Sequence, residues 1–279
     1  PGARVVGARD LGRVDIVLPL LHGPYGEDGT IQGLLEMAEV RYVGCGVASS
    51  AVSMDKHLTK VVLAGAGIDV GRWELITPLQ WEADQGACLE RAAALGFPVF
   101  VKPCRAGSSV GISKVESREG LAVAVKEAQN HDPRVIVEAG VVGREVECGV
   151  LGGRSDWRSA TAPLGEIEVP DGEFYDYEHK YVDDVVGLVC PAEVAPAYEE
   201  RVRETALRAF DALECEGLAR VDFFLDEDSG TVLVNEVNTM PGFTPISMFP
   251  QMWAAAGVDY PSLIDALLEE AAARTVGLR

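Results

Sequence analysis

In GLARVDFFLDEDSGTVLVNEVNTMPG, residues 217–242, two runs rich in β-branched and aromatic residues flank the turn-forming DEDSG. That pattern predicts a β-hairpin, and strand alternation then fixes which side chains share a face. Arg220 and Asp222 fall on one face of the first strand. Glu236 and Asn238 share a face of the second and lie roughly opposite them, with Val221, Phe223, Leu233 and Val237 expected on the other side. One sheet face thus gathers two carboxylates, an amide and a guanidinium. Hard oxygen donors of this kind suit Mg²⁺, which takes a few carboxylates and completes its shell with phosphate oxygens. An ordinary salt-bridged strand face would also alternate its charges. The Asp, Glu and Asn set beside an arginine and a terminal Pro-Gly turn fits a metal site better.

The remainder of the chain alternates short β-rich runs with helical patterns, which predicts an α/β (α+β) architecture. DIVLPLLH (15–22) reads as a strand buried on both faces. A loop, GPYGEDG, leads to the helical TIQGLLEMA, then to a strand at RYVG (41–44) and one helix over SAVSMDKHLTKVVLAGAG. Residues 72–139 read strand, helix, strand, turn, strand, helix, strand. REVECGVLGG and SATAPLGEIEVP predict antiparallel strands, and a polar, tyrosine-rich loop covers 171–190. The helix YEERVRETALRAFDAL, the hairpin and two terminal helices complete the chain. No strand precedes Asp15, so the first α/β unit reads as one that has lost its opening βα units by truncation or disorder.

Composition narrows the functional classes. A formal charge of −20 over 279 residues repels polyanions, which excludes nucleic acid as a partner. No apolar run is long enough to span a bilayer, and PGARVVGARD lacks the core and cleavage site of a secretory signal. Six cysteines without a C-x-x-C pair read as reduced, mostly buried thiols of a cytoplasmic protein.

GSSVG (107–111) carries two chemical meanings. As G-x-S-x-G it could present Ser109 as a nucleophile, but an elbow needs a strand before it and a helix after it. FPVFVKP supplies the strand, whereas the following GISKV is β-like, and only His131 and His179 lie downstream. As a glycine-rich hairpin tip it would offer N–H donors from Ser108, Ser109 and Val110 to phosphate oxygens, with Lys102 adding charge. A surface hairpin with a solvated lysine is an equally good reading of the stretch alone. It is not a Walker loop, because G-x-x-x-x-G-K-[ST] is absent. His22 in HGPYGEDGT sits at a strand's C-terminal end, where α/β sheets place ligands, although a lone histidine in a glycine loop is more often structural. FYDYEHKY (174–181) reads as an active-site lid or as a crossover loop.

Taken together, HGPYGEDGTIQGLLE, SMDKHLTK, FPVFVKPCRAGSSVGISKV, FYDYEHKY, ARVDFFLD and NEVNTMPGFTPISMFP resemble the D-alanine–D-alanine ligase family of the ATP-grasp superfamily. The resemblance runs over essentially the whole chain. It implies an ATP-grasp fold with an incomplete N-terminal α/β domain at 1–48, a central subdomain at 49–139 and a C-terminal subdomain at 140–279. It also implies a reaction. ATP phosphorylates the carboxylate of one D-alanine, and the amine of a second displaces phosphate from the acyl phosphate, giving a dipeptide for peptidoglycan synthesis.

Carried over by position, the resemblance gives Lys56, Lys102 and Lys180 as ATP-phosphate contacts. Ser108 ties the phosphate turn to the lid through Tyr181, with Ser109 beside it. Glu138 with the backbone of Ala139 and Val141 would hold adenine, and Glu145 the ribose. Asp222, Glu236 and Asn238 would bind two Mg²⁺ (or Mn²⁺) ions. Arg220 and the Gly242 N–H would stabilise the tetrahedral intermediate, and Ser247, Met248 and His22 would face the second substrate. A cytoplasmic homodimer joined through the N-terminal domain is implied too. The family's N-terminal glycine-rich loop, whose glutamate positions the first D-alanine, has no counterpart before Asp15, and Ala106 stands where many relatives carry an acid. The missing loop implies an incomplete first-substrate site, whereas the change at Ala106, in the phosphate turn, reads as a tolerable one. D-Serine or D-lactate as second substrate keeps the fold; the retained Lys180-Tyr181 pair argues against lactate. Another ATP-grasp carboxylate–amine ligase, a serine hydrolase using Ser109 and a non-catalytic nucleotide-binding protein are the wider alternatives.

Overall fold

The computed structural model describes residues 12, 14–107, 110–152, 158–160, 163–168 and 187–275. Strand β1 (Ile16–Val17) pairs in parallel with β2 (Arg41–Tyr42), linked by the helix Thr30–Met37. The long strand expected over DIVLPLLH therefore ends at Val17. Pro19 contributes no amide donor; the Leu20 and Leu21 amides bond the Leu18 and Pro19 carbonyls at 3.1 and 2.8 Å, and both leucines are exposed.

The single helix expected after β2 is two, Val47–Met54 and Lys56–Gly65. Asp55 divides them. Its backbone is extended, and its carboxylate accepts from the amides of His57 and Leu58, both at 3.1 Å. An N-cap of this kind satisfies donors that a helix start leaves open. It also places Lys56 at the first helical position.

A four-stranded antiparallel sheet follows, built from β3 (Trp73–Ile76), β4 (Val99–Pro103), β5 (Ser113–Val115) and β6 (Val135–Ala139) in the order β3-β6-β4-β5. The expected succession of elements over 72–139 is present, with the additional helix Pro78–Ala83 before Gln85–Ala93. Thr77 and Gln80 form a reciprocal capping box, and Asp84 caps the next helix. Val99, Val101, Val135 and Val137 pack against Leu121 and Val125 of the helix Arg118–Gln129. Alternation sends Lys102 and Glu138 to the opposite face.

The larger sheet is also antiparallel. It contains β7 (Arg144–Gly152), β8 (Arg158–Ala160), β9 (Gly165–Glu168), β10 (Gly187–Val189), β11 (Gly217–Asp226) and β12 (Thr231–Asn238). The order is β10-β9-β7-β11-β12, with β8 also on β7. Of the expected loop at 171–190, residues 187–189 form an edge strand, while 171–186 lie outside the described residues. One face is covered by the helix Pro196–Ala212, whose Val202, Ala206, Ala209 and Phe210 recur at helical spacing. Leu63 and Ile68 join the same core. A third core joins Val43, Leu151 and Leu218 to Phe249, Trp253, Leu263 and Leu267 of the helices Met248–Ala255 and Tyr260–Ala273.

The β11–β12 hairpin pairs Arg220 with Asn238 and Asp222 with Glu236, as alternation requires. The register then shifts between Asp222 and Phe223, which pairs with Val234. A bulge inserts one residue and inverts the alternation beyond it. Val232 and Val234 consequently take the buried side, and Leu233, expected there, is only half-buried.

Candidate functional site

A cleft of about 500 Å³ opens over the polar face of β11 and β12. His22, Lys56, Arg220, Glu236, Asn238, Gly242, Ser247 and Met248, all singled out from the sequence, contribute to its lining. Strand pairing explains the convergence at its floor. Asp222 lies opposite Glu236 on one side and opposite Glu147 on the other, so three adjacent strands present a row of three carboxylates.

Cations are interleaved with that row. The Arg220 Nε and Nη2 donate to the two Asp222 carboxylate oxygens at 2.7 Å each, and Nη2 lies 3.2 Å from Glu147 Oε1. Burial works against the guanidinium charge, but Asp222 and then Glu147 hold Arg220 protonated. Asn238 Nδ2 donates to Asp222 Oδ2 at 2.9 Å. Lys56 Nζ approaches Glu236 Oε2 at 3.5 Å and donates to the Ala106 carbonyl at 2.9 Å. Arg220 and Asn238 cover Asp222, and it does not itself line the cleft.

Asp222, Glu236 and Asn238 supply two carboxylates and an amide, a hard-oxygen set that fits a divalent ion sharing its shell with phosphate. Lys56 and Arg220 now neutralise those carboxylates. Among the described residues, no group of three or more His, Cys, Asp and Glu side chains has a metal-holding arrangement.

The loop after β1 also lines the cleft, through His22, Gly23 and Glu27. The His22 Nδ1 lies 2.9 Å from the Met240 carbonyl oxygen. The Glu27 carboxylate accepts from the Gly23 amide at 2.6 Å and from the Met240 amide at 3.3 Å. Burial raises the Glu27 carboxyl above its ordinary range, against the Gly23 bond and nearby His22. Ser247 precedes the helix Met248–Ala255, and its Oγ accepts from the Thr244 amide at 3.1 Å.

A second cluster lies on the four-stranded sheet, outside the residues lining the cleft. Glu138 is buried between two lysines: Lys102 Nζ is 2.5 Å from Oε2, and Lys60 Nζ is 2.8 Å from Oε1. Burial alone would raise the Glu138 carboxyl. Lys102 and then Lys60 outweigh it and hold Glu138 far below the usual carboxylate range. Ala139 ends β6, with its amide on the Arg72 carbonyl at 2.9 Å, and Glu145 lies on β7. A Cβ on Gly71 would stand 3.6 Å from Val141 Cγ2 and 3.8 Å from Lys60 Nζ, which sets Val141 beside this cluster.

The strands on either side of GSSVG, β4 and β5, pair in antiparallel register, Val101 opposite Ser113. A hairpin therefore stands where a nucleophile elbow requires a strand-to-helix turn. Gly111, at φ +72°, closes it so tightly that a Cβ would lie 2.5 Å from the His131 ring. Ser108, Ser109, Lys180 and Tyr181 lie outside the described residues. The six cysteines are unpaired and all but Cys190 are buried; burial pushes the Cys104 thiol up to about 12, remote from nucleophilic use. No helix among the described residues is long and apolar enough to cross a membrane.

Sequence reasoning missed Glu27, Glu147 and Lys60. Alternation along REVECG does put Glu145 and Glu147 on one face, yet nothing local says that β7 lies beside β11. Lys60 sits one helical turn after Lys56, a spacing that signals a shared face but gives no partner.

Two family models match the chain: "D-ala D-ala ligase C-terminus" over residues 62–269 and "D-ala D-ala ligase N-terminus" over residues 3–45. A D-alanine–D-alanine ligase of Kineococcus radiotolerans is 54% identical over 283 residues, covering 100% of this chain and 75% of the relative. One from Pseudarthrobacter chlorophenolicus is 56% identical, covering 97% of this chain and 72% of its own length. Among solved structures, the D-alanine–D-alanine ligase of Coxiella burnetii superposes with a TM-score of 0.81 at 39% identity, over 92% of this chain and 68% of that one. The VanG D-Ala:D-Ser ligase of Enterococcus faecalis superposes with a TM-score of 0.84 at 40% identity, over 93% and 73%.

Proposed function

From the premise that this chain belongs to the D-alanine–D-alanine ligase family, we propose that the cleft over β11 and β12 is where it joins two D-alanines at the expense of ATP. The family's reaction uses ATP and a divalent metal. The single observation that carries the assignment of the site is the shared face of Arg220, Asp222, Glu236 and Asn238, in a cleft that Lys56 and His22 also line.

A carboxylate is a poor electrophile, and phosphorylation converts one of its oxygens into a leaving group. In our reading Asp222, Glu236 and Asn238 hold two Mg²⁺ ions, for which Mn²⁺ can substitute. When bound, the metal supplies positive charge to the triphosphate oxygens during in-line transfer. Lys56, Lys102 and Lys180 bind the same phosphates, and Lys56 exchanges its present contact with Glu236 for them. Ser108, Ser109 and Tyr181, which lie outside the described residues, belong to the same reading as members of the phosphate turn and lid that the resemblance implies. Glu138, Ala139 and Val141 receive adenine, and Glu145 the ribose.

Arg220 stands where negative charge gathers on the attacked carbonyl oxygen, and the Gly242 N–H adds a second donor. Both contacts strengthen as the tetrahedral intermediate forms, which is the condition for accelerating the step. Ser247 and Met248 hold the carboxylate of the second D-alanine, with His22 beside its amine. Cytoplasmic location and a homodimer joined through the N-terminal segment belong to the same reading, as does the division at residues 48 and 139.

The test is phosphate release and dipeptide formation with ATP, Mg²⁺ and D-alanine, run beside D-serine and D-lactate because the VanG enzyme acts on D-serine. Release should depend on D-alanine; release indifferent to it refutes the assignment. Glu236→Gln should abolish turnover, and an active variant would displace the metal site. Ser109→Ala should leave ligation largely intact, whereas its loss would revive the nucleophile.

A further inference from the structure

Glu138 holds two lysines with one carboxylate, so the buried trio carries one positive charge more than it neutralises. The lysines are not equivalent. Lys102 extends from β4 and is exposed to the fields of Glu236 and Glu145 as well as Glu138. Lys60 extends from the helix Lys56–Gly65, is buried, and has its ammonium against Oε1 beside Gly71 and Val141. If Lys102 turns to a phosphate, Glu138 loses one of its two partners. A buried carboxylate stripped of every counter-ion is strongly disfavoured, and a carboxylate that keeps one is not.

We propose that Lys60 is a positioning residue of the nucleotide site: it keeps Glu138 ion-paired and aimed, which frees Lys102 to exchange that carboxylate for a nucleotide phosphate. This inference rests on the reading that Lys102 and Glu138 contact ATP. Without Lys60, Glu138 and the nucleotide compete for the same ammonium, so binding weakens while the ligand-free protein keeps one Glu138–lysine pair. The Lys102 pair therefore preserves the apo fold, and the defect appears only when ATP binds.

The test is calorimetric ATP affinity, with thermal unfolding in the absence of nucleotide and the KM for D-alanine measured alongside. Lys60→Met should bind ATP about tenfold or more weakly, with unchanged D-alanine KM and unchanged nucleotide-free melting. Lys60→Arg should restore most of the affinity. In a Glu138→Gln background the Lys60→Met change should cost little further, since no charge is left to strand. Wild-type ATP affinity in Lys60→Met, with Glu138→Gln or Lys102→Met binding weakly, overturns the role of Lys60 alone. Wild-type affinity in all three overturns the nucleotide-site reading itself. Unfolding of Lys60→Met without nucleotide also counts against the proposal; Lys60→Gln, similar in reach and neutral, is read by the same criteria.

Discussion

Asp55 joins the phosphate-side elements. Its Oδ1 caps the helix that begins at Lys56, and its Oδ2 pairs with Arg134 at the start of β6. The Lys56 amide in turn bonds the Cys104 carbonyl at 3.0 Å, just beyond β4. Asp55→Ala removes both the cap and the ion pair. The cap contributes about 1 kcal/mol. A fully buried pair broken on one side costs about 3–5 kcal/mol, but the Arg134 side chain retains 25% exposure and can rehydrate, which reduces this to about 1–2 kcal/mol. The sum is about 2–3 kcal/mol. Asp55→Asn keeps an equally good cap and loses only the charge, so it should cost about 1–2 kcal/mol. Urea unfolding of the two variants at neutral pH separates the contributions. ATP affinity should fall more in the alanine variant, because the uncapped helix start carries Lys56. Equal loss in both variants, or a loss below about 0.5 kcal/mol in the alanine one, would refute the reasoning.

Three further outcomes follow from particular contacts. A Cβ at Gly165 would lie 2.3 Å from Met248 Sδ, so Gly165→Ala should force Met248 toward the cleft, cost about 1–3 kcal/mol and raise the D-alanine KM; an unchanged KM would separate Met248 from the substrate. Burial pushes the Asp132 carboxyl up, but the Arg105 bonds outweigh it and leave it lowered; stability from this pair is therefore present above the ordinary aspartate range and lost as pH falls through the lowered value. Arg105→Leu should accordingly cost on the order of 1 kcal/mol at neutral pH, discounted for the half-exposed guanidinium, and its melting curve should converge on wild type in acid rather than stay parallel to it. Glu147 is 2% exposed, and its Oε1 lies 3.2 Å from the same Arg220 Nη2 that bonds Asp222; Glu147→Gln should lower kcat by about tenfold with ATP affinity intact, and an unaltered kcat would remove Glu147 from the site.

Much of the site was legible because its chemistry is written in local periodicity. Two residues per strand repeat fix the face shared by Arg220 and Asp222, and a turn sequence fixes the partner strand bearing Glu236 and Asn238. The same rule failed at Leu233, where a bulge adds a residue that no propensity announces. It failed again at Asp55, where the apolar pattern continues through a residue whose carboxylate starts a new helix. DIVLPLLH misled because a continuous apolar run specifies burial without specifying a neighbouring strand.

The chain's residue order thus determined the elements, the acidic hairpin face and the family motifs, all set by interactions between near neighbours. Tertiary structure alone decided that β7 lies beside β11 and adds Glu147 to the row, that Glu27 reaches Met240, and that Lys60 meets Glu138 from another element. Those contacts join residues far apart in the chain, and they form only when the packing of the sheets brings the partners together. No local pattern encodes which charge will be the partner.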